Sequence, residues 1–264
     1  MLLDASRTHA AAAILADRRL QGLSGPCLPD ELRPQTLEDA LAIQAAVGTH
    51  MGQAVGGWKC GTPGPGKLVV APIYAPTIHM ASPCPAWAHE GAVRVEPELA
   101  FVIGQDLPAR DLPYAPADVD AAIARTHLAL ELCDSRYSDQ ATLSFADKLA
   151  DGLVNQGLFI GPEVDGERAA LTPTMQIDIS IDGHAQPCRA GQHPDPLPRL
   201  PLYWLAEHLR GSGQGLRAGQ VVITGSYAGT FGLPVDAAVR VRFGALGELL
   251  LTLSARDRSA SSPR

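Results

Sequence analysis

The chain has 264 residues, of which 46% are hydrophobic and 19% charged, and its formal net charge is −7. This composition supplies enough apolar side chains for a full core and excludes global disorder. An acidic chain without a basic block argues against nucleic-acid binding. No apolar run approaches the roughly 20 residues that a membrane span needs. The N-terminus has no basic leader and the five cysteines form no CxxC pair, so we expect a reduced, cytoplasmic protein.

The first fifty residues have the pattern of helices. Residues 10–20 are rich in alanine, and the dipeptide Gly25-Pro26 follows as a chain break. Thr36 and the acidic residues after it resemble a capping box, and apolar side chains then follow at helical spacing. We therefore predict an N-terminal helical region over residues 1–55.

From residue 56 onward the sequence has the pattern of strands. Residues 56–91 are rich in glycine and proline, which is typical of loops with short strands. Strand-length apolar runs follow at 99–104, 128–133, 158–161, 175–182, 221–224, 238–243 and 248–253. One further helix is predicted over 201–209. Because strands and helices do not alternate regularly, we predict a mixed α/β protein with a β-rich body over 56–255 and a frayed tail over 256–264.

Two glutamates two residues apart are the first candidate metal ligands. Glu96 and Glu98 precede an apolar strand, and residues at this spacing share one face of a strand. Two carboxylates so close repel each other unless a cation or a proton lies between them, and Mg²⁺ or Mn²⁺ would suit their oxygen atoms. The alternative is a solvated edge strand on which Pro97 blocks pairing.

A third glutamate interrupts the predicted strand over 128–133. Glu131 would be buried there, and a buried carboxylate without a partner is strongly disfavoured. Its partner could be a metal shared with Glu96 and Glu98. The alternative is an ion pair with Arg136 or another arginine.

Two glycine-containing segments could contact a substrate. Lys59 lies in the run GGWKCG, where a desolvated lysine could bind a carboxylate or transfer a proton. The alternative is a surface lysine beside a turn. A predicted strand ends at Thr224 and Gly225, which begin a turn able to offer N–H groups and hydroxyls to an anion. The alternative there is an ordinary turn between a strand and a loop.

Taken in order, five segments resemble one family. These segments are GWKCG, VEPELAFVIG, ALELCDSR, FADKLADGLVNQGLFIG and LRAGQVVITGSYAG. They are similar to the 2-keto-4-pentenoate hydratase (2-oxopent-4-enoate hydratase / 4-oxalocrotonate decarboxylase) group of the fumarylacetoacetate hydrolase superfamily. The resemblance spans about residues 10–255. It implies a fumarylacetoacetate hydrolase-like β-rich roll with an N-terminal helical region.

The resemblance also implies roles for the candidate residues. Glu96, Glu98 and Glu131 match the ligands of a divalent cation, Mg²⁺ or Mn²⁺. Lys59 matches the family's active-site lysine, so that Lys59 and Glu98 are the expected catalytic residues. Substrate binding is expected from Lys59 and from the two residues of the turn, Thr224 and Gly225.

The implied function is that of a metal-dependent hydro-lyase from the breakdown of aromatic compounds. Family members act on small 2-oxo or 2-hydroxy-dienoic acids and form soluble homo-oligomers. The expected reaction is hydration of a 2-hydroxypenta-2,4-dienoate to a 4-hydroxy-2-oxo acid, with metal stabilisation of the enolate. Three alternatives stay open: decarboxylation of 4-oxalocrotonate, C–C hydrolysis of an acylpyruvate, and a catalytically degenerate partner subunit.

The sequence departs from the family's pattern in two places. Pro76-Thr77 stands where an acidic residue is expected near the active site, and His79 is close enough along the chain to replace that residue. The segment over 152–156 also differs from the family's pattern.

Overall fold

The structure, a computed structural model, describes residues 3–257. The predicted tail therefore lies largely outside the described residues, which end before residue 258. The helices are α1 (Ala5–Gln21), α2 (Leu37–Met51), α3 (Pro116–Ala122), α4 (Phe145–Ala150), α5 (Gly166–Ala170) and α6 (Leu200–Gly211).

The N-terminal helices begin and end where capping residues dictate. Asp4 accepts a hydrogen bond from the Arg7 N–H at the start of α1. The capping box predicted at Thr36 is present at the start of α2, where the Thr36 side chain accepts from the Asp39 N–H. Helices α1, α2 and α4 pack together around one apolar cluster that includes Leu15 and Leu149.

The remaining chain consists mainly of strands. They are β1 (Val55–Cys60), β2 (Val70–Tyr74), β3 (Ile78–His79), β4 (Cys84–Ala86), β5 (Ala92–Ile103), β6 (Ile123–Cys133), β7 (Asn155–Val164), β8 (Thr174–Ile181), β9 (His184–Ala185), β10 (Arg189–Gln192), β11 (Val221–Ile223), β12 (Phe231–Pro234), β13 (Val239–Phe243), β14 (Gly247–Leu251) and β15 (Leu253–Ala255). The predicted mixed α/β class is confirmed.

Strands of the main sheet run in the order β2-β1-β11-β5-β6-β7-β3, and β12 also pairs with β5. A second sheet has the order β10-β8-β13-β14, with β9 beside β8, and β15 pairs with β4. Strand β5 is central in the main sheet. Its pairing with β6 runs along nearly its whole length, from Arg94 opposite Cys133 to Ile103 opposite Ile123.

The other side of β5 is shared by two short strands with a gap between them. Strand β11 pairs with residues 100–102 of β5, and β12 pairs with residues 92–95. Between these strands, the loop over 224–230 lies against β5, and the Tyr227 N–H donates to the Pro97 carbonyl oxygen at 3.0 Å. The main sheet is therefore interrupted beside Glu96 and Glu98, where a loop replaces a strand.

The two faces of the main sheet are both covered. One face contributes Leu99, Phe101 and Leu128 to the largest core cluster, which also includes Phe243 and α6 side chains. The opposite face carries a smaller apolar cluster: Ile73, Ala100, Val102, Ala129, Leu158, Ile160, Val221 and Ile223. No helix within the described range is long and apolar enough to cross a membrane.

Candidate active site and metal centre

The register of β5 and β6 places the three glutamates together. Glu96 lies directly opposite Glu131, and Glu98 lies opposite Ala129, so all three carboxylates project from one face of the sheet. Pro97 pairs with Leu130 inside the sheet rather than at an edge. The alternative of a solvated edge strand interrupted by Pro97 is therefore wrong.

Lys59 reaches the same face from β1. It lies opposite Ile223 of β11, and Ile223 in turn lies opposite Ala100 of β5. The Lys59 ammonium donates to Glu131 Oε1 at 2.7 Å and to the Leu153 carbonyl oxygen at 3.1 Å. Lys59 is buried, so the alternative of a surface lysine is wrong.

The ion pair of Glu131 is thus with a lysine and not with an arginine. Arg136 instead pairs with Asp151, with 2.5 Å between Arg136 Nε and Asp151 Oδ1, in a separate buried site. No arginine is therefore needed to balance Glu131, and Arg136 binds the side chain and the carbonyl oxygen of Asp151 instead.

Asn155 is a site residue that the sequence did not identify. Its amide nitrogen donates to Glu131 Oε1 at 2.9 Å, and its own Oδ1 is buried without a hydrogen-bond partner among the described residues. The turn before Asn155 has positive φ at both Leu153 (52°) and Val154 (60°), an uncommon conformation for such side chains. This turn presents the Leu153 carbonyl oxygen to Lys59.

Cys133 is a second residue that the sequence did not identify. It lies two positions after Glu131 and therefore faces the same side of β6. One ligand atom each from Glu96, Glu131 and Cys133 lie within 4.8 Å of one another. Glu96 also accepts a hydrogen bond from the Thr230 hydroxyl.

Glu98 is held by the turn that follows β11. Its Oε2 accepts the Gly225 N–H at 2.7 Å. Gly225 has φ 137°, and a Cβ there would lie 2.6 Å from Pro194 Cγ, so this position requires glycine. The Thr224 side chain contacts His193 instead of the carboxylates: its buried hydroxyl lies 3.4 Å from His193 Nε2. Of the two predicted turn residues, the structure brings Gly225 to the carboxylates through its backbone.

His79 does not replace the acidic residue that the family's pattern has at positions 76–77. Ile78 packs against the small apolar cluster on the glutamate face, and His79, its neighbour on β3, faces the other way. Burial and the nearby Arg256 lower the pKa of His79. The structure therefore does not bring His79 to Lys59 or to the glutamates.

The electrostatics of the site are dominated by burial and by the excess of carboxylates. Burial and the charges of Glu131 and Glu96 raise the pKa of Glu98 well above its usual value. Burial opposes the charge of Lys59, but the negative charges around it, of which Glu131 contributes most, together outweigh burial and raise the Lys59 pKa. Lys59 therefore keeps its proton at neutral pH. Three carboxylates facing one ammonium leave the site in need of further positive charge.

This arrangement fits a divalent cation. Glu131 is fully buried, yet its Oε2 has no hydrogen-bond partner within residues 3–257, which is rare for a buried polar atom. Lys59 and Asn155 both bind Oε1 and leave Oε2 available. Carboxylate oxygens are the ligands that Mg²⁺ and Mn²⁺ prefer. Glu96, Glu98 and Glu131 would hold such an ion.

Fold and site together define a member of a known enzyme family. The chain belongs to the fumarylacetoacetate hydrolase family, since the family model described as "Fumarylacetoacetate (FAA) hydrolase C-terminal" matches residues 59–254. The predicted fumarylacetoacetate hydrolase-like fold is confirmed. The 4-oxalocrotonate decarboxylase of Pseudomonas putida G7, solved with magnesium and adipate, superimposes with a TM-score of 0.75 over 96% of this chain and 99% of that one, at 18% identity.

Curated relatives point to the same group. The chain is 29% identical to the 2-keto-4-pentenoate hydratase of Burkholderia vietnamiensis over 56% of this chain and 59% of that protein. It is 28% identical to a 4-oxalocrotonate decarboxylase of Pseudomonas sp. over 61% of each. The chain thus spans less than two thirds of the length of these relatives. The resemblance to the hydratase and decarboxylase group is confirmed.

Proposed function

We propose that this protein is a divalent-metal-dependent hydro-lyase that hydrates a 2-hydroxypenta-2,4-dienoate to a 4-hydroxy-2-oxo acid. The observation that carries the proposal is the cluster of buried Glu98, Glu131 and Lys59 with half-buried Glu96, in which one oxygen of Glu131 lacks a hydrogen-bond partner among the described residues. Fumarylacetoacetate hydrolase family membership and the names of the curated relatives support it.

The three glutamates would hold Mg²⁺ or Mn²⁺ at the gap between β11 and β12. When bound, the cation supplies Lewis acidity toward negative charge that develops on the 2-oxygen of a 2-oxo acid. Glu98 is expected to be both a ligand and a residue close to the reacting atoms. Its hydrogen bond from Gly225 fixes one of its two carboxylate oxygens.

Lys59 would act as a cation and a proton donor rather than as a base. Its raised pKa keeps the ammonium charged, and its three protons can serve Glu131, Leu153 and one further acceptor. A substrate carboxylate is the natural further acceptor in a buried site of this charge. The N–H of Gly225 is already used by Glu98, so substrate contacts from the turn would come from its other backbone groups, including those of Thr224.

Hydration of the substrate would have two steps, protonation and addition of water. Protonation at C5 of the dienol gives an electrophilic enone, and water adds at C4, so that one water is consumed and no electrons are exchanged. Lys59 would hold the substrate carboxylate in place or relay a proton to the substrate. The apolar cluster on the same face of the sheet, which includes Ala100, Ala129 and Leu158, would help to exclude bulk water from the reacting groups.

A second candidate is decarboxylation of 4-oxalocrotonate on the same residues. It is favoured by a curated relative of that name, which is nearly as similar as the hydratases. In that reaction the carbon–carbon bond to the leaving carboxylate breaks and CO₂ departs. The electron pair stays on the remaining 2-oxo acid. C–C hydrolysis of an acylpyruvate and a degenerate partner subunit are further outcomes that an assay can reveal.

The decisive experiment follows turnover of each substrate class with Mg²⁺ and with EDTA. We expect 2-hydroxypenta-2,4-dienoate to lose its ultraviolet absorbance only when the cation is present, with a 4-hydroxy-2-oxo acid as product. Release of CO₂ from 4-oxalocrotonate, or cleavage of an acylpyruvate, would instead establish an alternative. No turnover of any of them, together with co-purification with an active homologue, would identify a degenerate partner subunit.

Matched variants test the assignment of residues. Glu98→Gln removes a charge without changing shape and should abolish turnover while the circular dichroism spectrum is retained. Lys67→Ala changes an exposed lysine in the loop between β1 and β2 and should have no effect. Normal turnover by Glu98→Gln would show that the metal assignment is wrong. We further propose a cytoplasmic homo-oligomer, which light scattering of the purified protein tests.

A further inference from the structure

A thiol lies among the carboxylates of the proposed cation site. Cys133 has only 2% of its surface exposed and follows Glu131 on the same face of β6. Its sulfur and one oxygen each from Glu96 and Glu131 lie within 4.8 Å of one another. Of the five unpaired cysteines, Cys60 and Cys84 are also buried, but the apolar core holds both of them. Cys133 therefore differs from these two in its polar surroundings.

The three groups are close enough to coordinate one ion after moving inward. In a tetrahedral site, a metal–sulfur bond of about 2.3 Å and a metal–oxygen bond of about 2.0–2.2 Å place two ligand atoms about 3.6 Å apart. The three ligand atoms lie within 4.8 Å of one another, so coordination would draw them together by no more than about 1.5 Å. A second observation points to a ligand at the same place, since the buried Oε2 of Glu131 has no hydrogen-bond partner in the described part of the chain.

Sulfur and oxygen ligands select different metals. Carboxylates alone suit Mg²⁺ and Mn²⁺, whereas a thiolate binds Zn²⁺ and other borderline ions far better than Mg²⁺. A site with both kinds of ligand should retain Mg²⁺ through its carboxylates and bind Zn²⁺ or Co²⁺ more tightly than carboxylates alone would. Coordination by Cys133 forms one sulfur–metal bond and releases the thiol proton to water.

We propose that Cys133 is a metal ligand at the Glu96–Glu131 pair and that it gives this site a preference for borderline divalent ions such as Zn²⁺ and Co²⁺. This inference rests on the cation site of the proposed function. It goes further because it assigns the metal selectivity to one side chain. A Zn²⁺ ion held in this way would compete with Mg²⁺ for the same glutamates.

Cobalt substitution tests the proposal without any turnover. The metal-free protein, kept reduced, is titrated with Co²⁺ and its absorption spectrum is recorded. We expect ligand-field bands in the visible region and, in addition, a sulfur-to-cobalt charge-transfer band in the near ultraviolet. Cys133→Ser should lose the charge-transfer band but keep the visible bands. Cys60→Ser, a matched variant of a buried cysteine, should keep both.

Zinc affinity gives a second measure. Chelator competition should show Zn²⁺ binding weakened at least about tenfold by Cys133→Ser, the scale seen when partners of metal ligands are lost. Mg²⁺ binding by calorimetry should change much less. Cadmium-113 NMR of the unsubstituted protein tests the same ligand if Cys133→Ser fails to fold. A sulfur ligand moves the cadmium resonance far downfield of its position in an all-oxygen site.

The possible results separate this inference from the proposed function. Visible cobalt bands without a charge-transfer band would overturn the role of Cys133 and leave the carboxylate site intact. Equal Zn²⁺ affinity in Cys133→Ser and the unsubstituted protein would do the same. No binding of Co²⁺, Zn²⁺ or Mg²⁺ would overturn both, and Glu131→Gln serves as the control that should lose the ion altogether.

Discussion

Removal of the Lys59 ammonium is the sharpest test of the electrostatic account of the site. In Lys59→Met, the fully buried Glu131 loses a partner at 2.7 Å and keeps only the Asn155 amide. Two unit charges at this separation attract by about 6 kcal/mol at an effective dielectric constant of about 20. The desolvation of Lys59 disappears as well and offsets part of the loss. We therefore expect Lys59→Met to lower the free energy of unfolding by about 3–5 kcal/mol near pH 8.

The pH dependence of this loss provides a second check. Burial already raises the pKa of Glu131, and Lys59 is the group that most opposes the rise. Without Lys59 the folded-state pKa lies further above the unfolded value. A carboxyl with a raised folded pKa binds a proton in the folded state first, so stability is gained as the pH falls through that pKa. The deficit of Lys59→Met should be largest near pH 8 and shrink toward about pH 5.

Urea unfolding in EDTA, at about pH 5.5 and about pH 8, measures both effects. Lys67→Met is the matched control and should change stability by no more than about 0.5 kcal/mol. The double variant Lys59→Met/Glu131→Gln removes both charges and should recover most of the loss, since a neutral buried pair needs no counter-charge. A Lys59→Met protein as stable as the unsubstituted one near pH 8, or a deficit that does not change with pH, would refute the reasoning.

Three further substitutions test other parts of the site. Glu98→Gln should raise the free energy of unfolding in EDTA near pH 8, because it replaces a buried carboxyl of raised pKa with a neutral isostere; urea unfolding measures this, and a loss of stability would contradict it. Asn155→Ala removes a 2.9 Å hydrogen bond to Glu131 and should lower stability by about 1–3 kcal/mol. Calorimetry should show its Mg²⁺ affinity reduced about 10–100-fold, and an unchanged affinity would exclude a positioning role. Arg136→Met breaks the buried pair with Asp151 and should lower stability by about 3–5 kcal/mol. Its Mg²⁺ affinity, again by calorimetry, should stay the same, and a parallel loss of affinity would show that the two buried sites are coupled.

The glutamates and Lys59 could be singled out from sequence because each breaks a local pattern. Glu131 interrupts an apolar run, and Glu96 and Glu98 have the spacing of one strand face. Alternation along a strand then fixes which side chains share a face, and one pairing register brings Glu96 opposite Glu131. Local pattern and pairing therefore suffice for these residues.

Asn155 could not be found in the same way. Its position depends on an irregularity in the pairing of β6 with β7, where Asn155 lies opposite Cys133 after a register shift at Leu132. The turn before Asn155 uses positive φ at Leu153 and Val154, which no residue type there indicates. Residues 152–156 stood out only as a departure from the family's pattern. For Cys133 the sequence did contain a signal, because residue 133 lies two positions after Glu131 in ALELCDSR and therefore shares its strand face.

The extent of β5 shows why tertiary context overrides local signals. The apolar run that predicts this strand begins only at residue 99, and Pro97 lacks the N–H needed for regular pairing. The structure extends this strand from Ala92 to Ile103. The loop over 224–230 lies beside residues 96–98 in place of a neighbouring strand, so a proline is tolerated inside a central strand.

The Glu131 carboxylate connects the Lys59 ammonium to the proposed cation site. Lys59 and Asn155 bind Oε1 of Glu131, and Oε2 is buried without a hydrogen-bond partner in the described chain. A cation bound through Oε2 would therefore lie at a fixed position relative to the Lys59 ammonium. In the proposed function, a 2-oxo acid would contact the ammonium through its carboxylate and the cation through its 2-oxygen. The β6 strand that carries Glu131 would then set the spacing between the cation and the ammonium, and with it the orientation of the acid in the site.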